Sequence, residues 1–317
     1  MDNLLAAMKA AAEPTRLRLL VLCAHGDLTV SDLVQILGQS QPRVSRHLRL
    51  LTEAGLLDRN REGSWVYYRL AQQGPTAGLA QTLVDSIPGE DPTVGRDLGR
   101  LESVMAERAR RAEDYFHRMA ARWDEVRALY VQDDEVESLL RQLISREKVS
   151  DLLDVGTGTG RILEILAGQV ERAVGIDLSP DMLMIARSKL ERARLRNCVV
   201  RKGDMYNLPA ATGSFDAVTV HQVLHYAERP AQAIEEAARV LRPGGRLFIV
   251  DFQAHAQDVL RDEHEHRWLG FEENSIATWL KDAGLEPAES RHLAGNPLTI
   301  SIWSARRQDA PVRSTAA

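Results

Sequence analysis

The sequence predicts an α/β protein of more than one domain, on three observations. Its 317 residues exceed the roughly 150 of an average domain. The first third orders as helix, turn, helix and β-rich hairpin. From Val149 onward short apolar strands alternate with helical stretches, the pattern of a parallel sheet covered by helices.

Apolar residues at helical spacing predict helices over residues 3–12, from Glu13-Pro14 to Gly26, over 32–37 with Ser31 as cap and Gly38 as stop, and from the cap Ser40 through Ala54 to Gly55. A turn cluster at 59–64 then leads into a β-rich run at 65–70, which makes the wing. Residues 75–86 read as a further helix, and 87–92 as an interdomain break. The stretch 97–130 is helical but too polar for a core element, and is expected to bridge the two halves. Strands are predicted at 152–155, 173–176, 198–201, 217–220 and 247–251. A final pair, 288–293 and 298–304, joined by Gly295-Asn296, should be an antiparallel hairpin. The expected domains are therefore 1–86, a linker and bridging helix over 87–132, a second domain over 133–307 and a disordered tail over 308–317.

Composition narrows the function classes. The chain is 44% hydrophobic and 27% charged, with net charge −5. No apolar run approaches the roughly 18 residues of a membrane span, and Asp2 spoils a basic leader, so a cytoplasmic protein without a membrane partner is expected. Two cysteines, Cys23 and Cys198, exclude a disulfide framework and a cysteine-rich metal site. Residues 1–74 carry a net +2 and the remainder −7, which leaves room for a local basic patch.

That patch falls on the helix from Gln41. Val44, Leu48 and Leu51 share one face, while Arg43, Ser45, Arg46 and Arg49 project elsewhere. One side can anchor to the preceding helix while the other offers guanidinium and hydroxyl groups to guanine edges and phosphates. With Glu13-Pro14-Thr15-Arg16-Leu17-Arg18, Val44-Ser45-Arg46-His47-Leu48, Glu53-Ala54-Gly55-Leu56 and Trp65-Val66-Tyr67-Tyr68, the first 86 residues resemble winged-helix repressors of the ArsR/SmtB family. The resemblance implies a homodimer on double-stranded operator DNA with an inverted repeat. Arg43, Ser45 and Arg46, with Gln41 and His47, would then enter the major groove, flanked by Arg49, with Arg59 and Arg61 on the wing. His47 lies nearer the apolar side, so packing and base contact are equally open for it. Metal-sensing members place cysteines where this chain has none, at 28–33, so no metal is expected.

In the second half, Leu152-Leu153-Asp154-Val155-Gly156-Thr157-Gly158-Thr159-Gly160 sets a glycine-rich turn between strand and helix. Its G-x-G-x-G spacing, with Asp154 two positions before the first glycine, differs from the G-x-G-x-x-G of dinucleotide sites. It suggests an adenosyl ligand bearing an amino group. Asp177 ends the next strand, 17 residues beyond Gly160, where a carboxylate can accept both ribose hydroxyls; Asp204, with Met205, ends the one after. Acids at successive strand ends agree with one site outside the carboxyl edge of the sheet.

These stretches, with Phe215-Asp216, His221-Gln222-Val223-Leu224-His225 and Leu241-Arg242-Pro243-Gly244-Gly245-Arg246, resemble class I S-adenosylmethionine-dependent methyltransferases. The resemblance implies a doubly wound, seven-stranded Rossmann-like sheet with an antiparallel last strand. It places Asp154, Gly156, Thr157, Gly158 and Gly160 at the methionine part of the cofactor, Asp177 on ribose and Asp204 with Met205 around adenine, and adds Leu178 and His221 to the cofactor contacts. The two modules in this order resemble bacterial ArsR-type regulators fused to a methyltransferase domain.

Methyl transfer needs orientation more than a set residue, so no catalytic residue is assigned. His221, His225, Tyr226 and Asp251 are candidates to face an acceptor, with packing equally open for each. His264 and His266, two apart, would point about 200° from each other on a helix, and so do not make a metal pair. Arsenic methylation would require several cysteines, and only Cys198 lies in this half. The expected function is a transcriptional regulator, a repressor, binding S-adenosylmethionine or S-adenosylhomocysteine as effector or cosubstrate. The alternative is a small-molecule methyltransferase with a fused winged helix for regulation or dimerisation; the partners are operator DNA, a second copy and, in that case, a small-molecule methyl acceptor.

Overall fold

The computed structural model describes residues 1–62, 65–127, 133–260, 266–295 and 298–308. The chain divides into two units, Met1–Arg111 and Ala112–Ala317.

In the first unit α1 (Asp2–Ala11) leads to α2 (Pro14–Cys23), β1 (Leu28–Thr29), α3 (Val30–Leu37) and α4 (Gln41–Glu53). The wing follows as β2 (Leu57–Glu62) and β3 (Trp65–Leu70), then α5 (Ala77–Asp85) and the start of α6 (Pro92–Arg127). Glu13 caps α2 by accepting the Arg16 N–H at 2.9 Å, with Pro14 in the first turn. The cap of α3 is Thr29 and not Ser31, because Thr29 keeps the extended backbone of β1 while Val30 and Ser31 are already helical. Thr29 and Asp32 form a reciprocal capping box. Gly38 ends α3 in the left-handed conformation, at φ +64°, which a side chain would resist. Ser40 precedes α4 without a capping side-chain bond.

Leu19, Leu22, Leu33, Ile36, Val44, Leu48 and Leu51 build the core of this unit. The unit does not stop at residue 86. Leu101 and Val104 of α6 are buried in the same core, so the stretch that the sequence marks as too polar for a core supplies core residues. The 128–132 end of the expected linker and residues 309–317 of the expected tail lie outside the described residues.

The second unit begins with α7 (Asp133–Ser145) and continues β4 (Val149–Val155), α8 (Arg161–Leu166), β5 (Val170–Asp177), α9 (Pro180–Arg192), β6 (Cys198–Lys202), β7 (Phe215–His221), α10 (Pro230–Val240) and β8 (Leu241–Phe252). It ends with α11 (Glu273–Asp282), β9 (Leu285–Pro287), β10 (Arg291–Leu293) and β11 (Ile300–Arg307). The sheet order is β10-β11-β8-β7-β4-β5-β6, parallel from β8 to β6, with β11 antiparallel to β8. Among the described residues eight strands occupy seven positions. The two short strands β9 and β10 share the outer edge of β11, opposite 305–307 and 300–302 respectively.

Alternation along the strands feeds two cores, one on each face. Leu152 of β4 packs with Leu140, Leu163 and Ala186 on one side, and Leu153 with Ile234 and Ile276 on the other. Ion pairs brace the end of the sheet remote from the glycine loop. Asp151 takes Arg172 at 2.6 Å and Arg242 at 2.7 Å, while Arg242 also reaches Asp216 at 2.5 Å. Arg246 donates to the carbonyls of Leu143 and Ile144 and so closes the C-terminus of α7.

Candidate functional site

On α4 the apolar positions Val44, Leu48 and Leu51 are fully buried, so the opposite side is free to meet a ligand. Gln41, Arg43, Arg46 and Arg49 are exposed and Ser45 is half-buried. Arg59 and Arg61 of β2 are exposed two residues apart, on one side of the wing. His47 differs from its neighbours. It is half-buried, with Nδ1 3.8 Å from the Glu13 carboxylate, and burial holds its pKa below the usual histidine value. It therefore packs towards the start of α2.

The glycine loop leaves β4 and turns back on the end of β5. The N–H groups of Gly156 and Thr157 both donate to the Ile176 carbonyl, at 2.7 and 3.0 Å. Gly156, Gly158 and Gly160 all have positive φ, but they answer different demands. A Cβ at Gly156 would lie 2.5 Å from Val223, and one at Gly160 3.1 Å from Ala186, so these two permit packing. Among the described residues nothing lies within 4 Å of a Cβ built on Gly158, which leaves its backbone accessible to a ligand.

Asp154 is 1% exposed. Its Oδ1 accepts the Thr219 hydroxyl at 2.7 Å, while Oδ2 has no hydrogen-bond partner among the described residues. Burial pushes its carboxyl up to about 6, against the lowering effect of the Thr157 and Thr219 hydroxyls. A buried carboxylate oxygen that accepts no hydrogen bond of good geometry, ahead of open backbone, is the arrangement that a ligand ammonium group completes. The residues present thus fit an amino-bearing ligand.

Asp177 sits at the end of β5 with both oxygens engaged. Oδ2 accepts the Gly158 N–H and Oδ1 the Ser179 N–H, each at 2.8 Å. A carboxylate has about four acceptor positions, so two remain for hydroxyl donors. Leu178, immediately after it, is 64% exposed. Asp204 is exposed and accepts the Tyr206 N–H at 3.0 Å, with Met205 half-buried beside it. His221 ends β7 half-buried.

The acceptor candidates separate into two kinds. His225 and Asp251 are buried and paired, Nδ1 to Oδ1, at 2.7 Å, and Asp251 also accepts the His225 backbone N–H. The His225 ring stacks on that of His266 at 4.0 Å. Tyr226, the next residue, is 44% exposed. His264 lies outside the described residues, and among the described residues no cluster of three metal-ligating side chains occurs. Cys23 is buried, and burial pushes its thiol far up.

Sequence reasoning missed Gly175 and Val223. A Cβ at Gly175 would meet the Thr157 hydroxyl at 2.6 Å, so this strand glycine admits the loop. A glycine inside a strand is itself a signal of close backbone approach.

Two family matches decide the assignment of the halves. Residues 13–59 match the family described as bacterial regulatory protein, arsR family, and residues 153–249 the family described as methyltransferase domain. The chain joins an arsR-family helix-turn-helix to a methyltransferase domain. Its second unit is accordingly a site for S-adenosylmethionine or S-adenosylhomocysteine.

The chain is similar to an uncharacterised 37.1 kDa protein in transposon TN4556 of Streptomyces fradiae, 40% identical over 116 residues. That match covers 36% of this chain and only 33% of the relative. It is also similar to a ubiquinone biosynthesis O-methyltransferase of Aromatoleum aromaticum, 29% identical over 58% of this chain and 86% of the relative. Among solved structures the YcgJ protein of Bacillus subtilis, 17% identical, covers 56% of this chain and 100% of its own at a TM-score of 0.50, and shares the fold. No helix among the described residues is long and apolar enough to cross a membrane.

Proposed function

We propose that this protein is a transcriptional regulator, a cytoplasmic repressor acting as a homodimer, whose second unit binds S-adenosylmethionine or S-adenosylhomocysteine as effector. The observation that carries the reading is the presence in one chain of an exposed basic recognition helix and of a buried Asp154 oxygen that accepts no hydrogen bond among the described residues, ahead of a glycine loop left open by them. Gln41, Arg43, Ser45 and Arg46 would read base edges, and Arg49, Arg59 and Arg61 would lie against phosphates. Dimerisation is supported by α1. Met1, Leu4, Leu5 and Met8 are exposed at helical spacing on one side of it, an apolar stripe that a second copy would cover. Two copies related by a two-fold axis match an inverted repeat.

In the second unit, Asp154 would accept the ligand's ammonium group, the Gly156–Gly160 backbone would receive its methionine part, and Asp177 would use its remaining acceptor positions on the ribose hydroxyls. Leu178, Asp204 and Met205 would border the adenine, with His221 completing the contacts. When bound, S-adenosylmethionine supplies an electrophilic methyl group.

A second reading, a small-molecule methyltransferase, is favoured by one observation. Tyr226 is held exposed on a short turn whose neighbour His225 is pinned by Asp251, a firm edge for an acceptor. The named O-methyltransferase relative agrees with it.

Titration of a selected duplex with the protein, alone and with each ligand, tests the first reading, and a labelled-methyl assay on small phenols and amines tests the second. Asp177→Ala is expected to weaken S-adenosylhomocysteine binding at least tenfold in calorimetry. Unchanged affinity would place the ribose elsewhere.

A further inference from the structure

Helix α6 holds α3 by both ends. Arg108 donates to the carboxylate of Asp32, the acid of the capping box, and to the Asp27 carbonyl at 3.0 Å just ahead of that helix. Arg100 donates to the Ile36 carbonyl at 2.9 Å in the last turn of α3, filling one of the acceptors that a helix C-terminus leaves open. One turn earlier, Asp97 accepts Nε and Nη2 of Arg18 on α2 at 2.5 and 2.8 Å, and is itself 3% exposed. Between these grips Leu101 and Val104 are buried.

At about 100° per residue, positions 97, 100, 101, 104 and 108 share a face about 100° wide, and the grips span about 16 Å of helix. An apolar contact alone would tolerate sliding. Directional, charge-assisted hydrogen bonds at both ends do not, and they admit only discrete arrangements. Because α3 packs on α4, a shift of α6 must be answered by α3 or by the recognition helix resting on it. Helix α6 itself continues past Arg111 to Arg127.

We propose that α6 is the lever of the switch: its Arg100 and Arg108 grips pass a displacement of α6 to α3, and so set the geometry in which α4 reads DNA. This rests on the reading of the first unit as DNA reader and of the second as effector site. It goes beyond that reading by naming the contacts, all inside the first unit, that would carry a displacement of α6 to the recognition helix.

The test compares the full chain with an Arg100→Met, Arg108→Met double variant. An Arg110→Met control is included, since Arg110 is exposed and pairs within its own helix with Glu107. The probes are S-adenosylhomocysteine and a duplex selected by the wild type from a randomised pool. Saturating ligand should change wild-type duplex affinity at least fivefold, within the usual range of allosteric coupling. The control should keep that factor. In the double variant it should fall below about twofold, while calorimetry gives an unchanged ligand affinity. A double variant that keeps the full factor overturns the lever. A wild type with no ligand response overturns the effector reading itself, and the lever with it. Should the double variant lose duplex binding, amide exchange decides: ligand should alter protection of residues 30–37 in the wild type only, and the same alteration in both proteins overturns the proposal.

Discussion

Nδ1 of His225 lies 2.7 Å from Oδ1 of Asp251, and both residues are buried. The same carboxylate accepts the backbone N–H groups of His225 and Phe252, so it ties the turn after β7 to the end of β8. Asp251→Asn should destabilise the second unit by about 1–3 kcal/mol, because an amide cannot accept on both sides and one buried donor is left unmatched. Thermal unfolding should show the loss while S-adenosylhomocysteine affinity stays within about threefold, since Asp251 does not line the glycine loop. A variant as stable as the wild type would deny the pair its structural role.

Asp154 is expected to make ligand affinity depend on pH. With its carboxyl pushed up to about 6 by burial, half the free protein is protonated near that value, and an ammonium ligand binds the ionised form. Affinity should rise by up to about tenfold per pH unit below 6 and level off above 7. For stability of the free protein the sign is opposite. A raised carboxyl favours the fold in its protonated form, so that contribution is present below the ordinary carboxylate range and lost as pH rises through about 6. Calorimetry between pH 5 and 8 checks the first effect, and Asp154→Asn should flatten the profile.

The two glycines of the loop should fail differently. Gly158→Ala strains a left-handed backbone by about 1 kcal/mol but meets nothing among the described residues, so its main effect is expected on ligand affinity. Gly156→Ala drives a methyl into Val223 and should lower the unfolding temperature more. Equal melting points for the two variants would contradict the packing role of Gly156.

Arg46→Ala should abolish sequence-specific duplex binding, because its exposed guanidinium stands on the free face of α4. Arg61→Ala should weaken binding to all duplexes alike and reduce the salt dependence by about one counterion. Anisotropy titrations at several salt concentrations separate these outcomes. Base-selective loss in Arg61→Ala would move the wing from the backbone to the groove.

The sequence by itself determined what depends on neighbours along the chain. The alternation of Leu152 and Leu153 between two cores, the division of α4 into apolar and basic sides, the glycine turn after β4 and the strands beside it all follow from spacings of two to four residues. Tertiary structure decided what depends on partners far away. Asp97, Arg100 and Arg108 made α6 read as too polar for a core, because nothing local shows that Arg18 donates to Asp97 or that the Ile36 carbonyl and Asp32 accept from the two arginines. His225 and Asp251, 26 residues apart, were visible only as separate strand-end residues. Asp177 was legible as a strand-end carboxylate following the glycine loop, yet its bonds to Gly158 and Ser179, which shape the loop, were not. A charge in a sequence reads as exposed until its counter-ion is found, and burial of the pair depends on how distant segments pack.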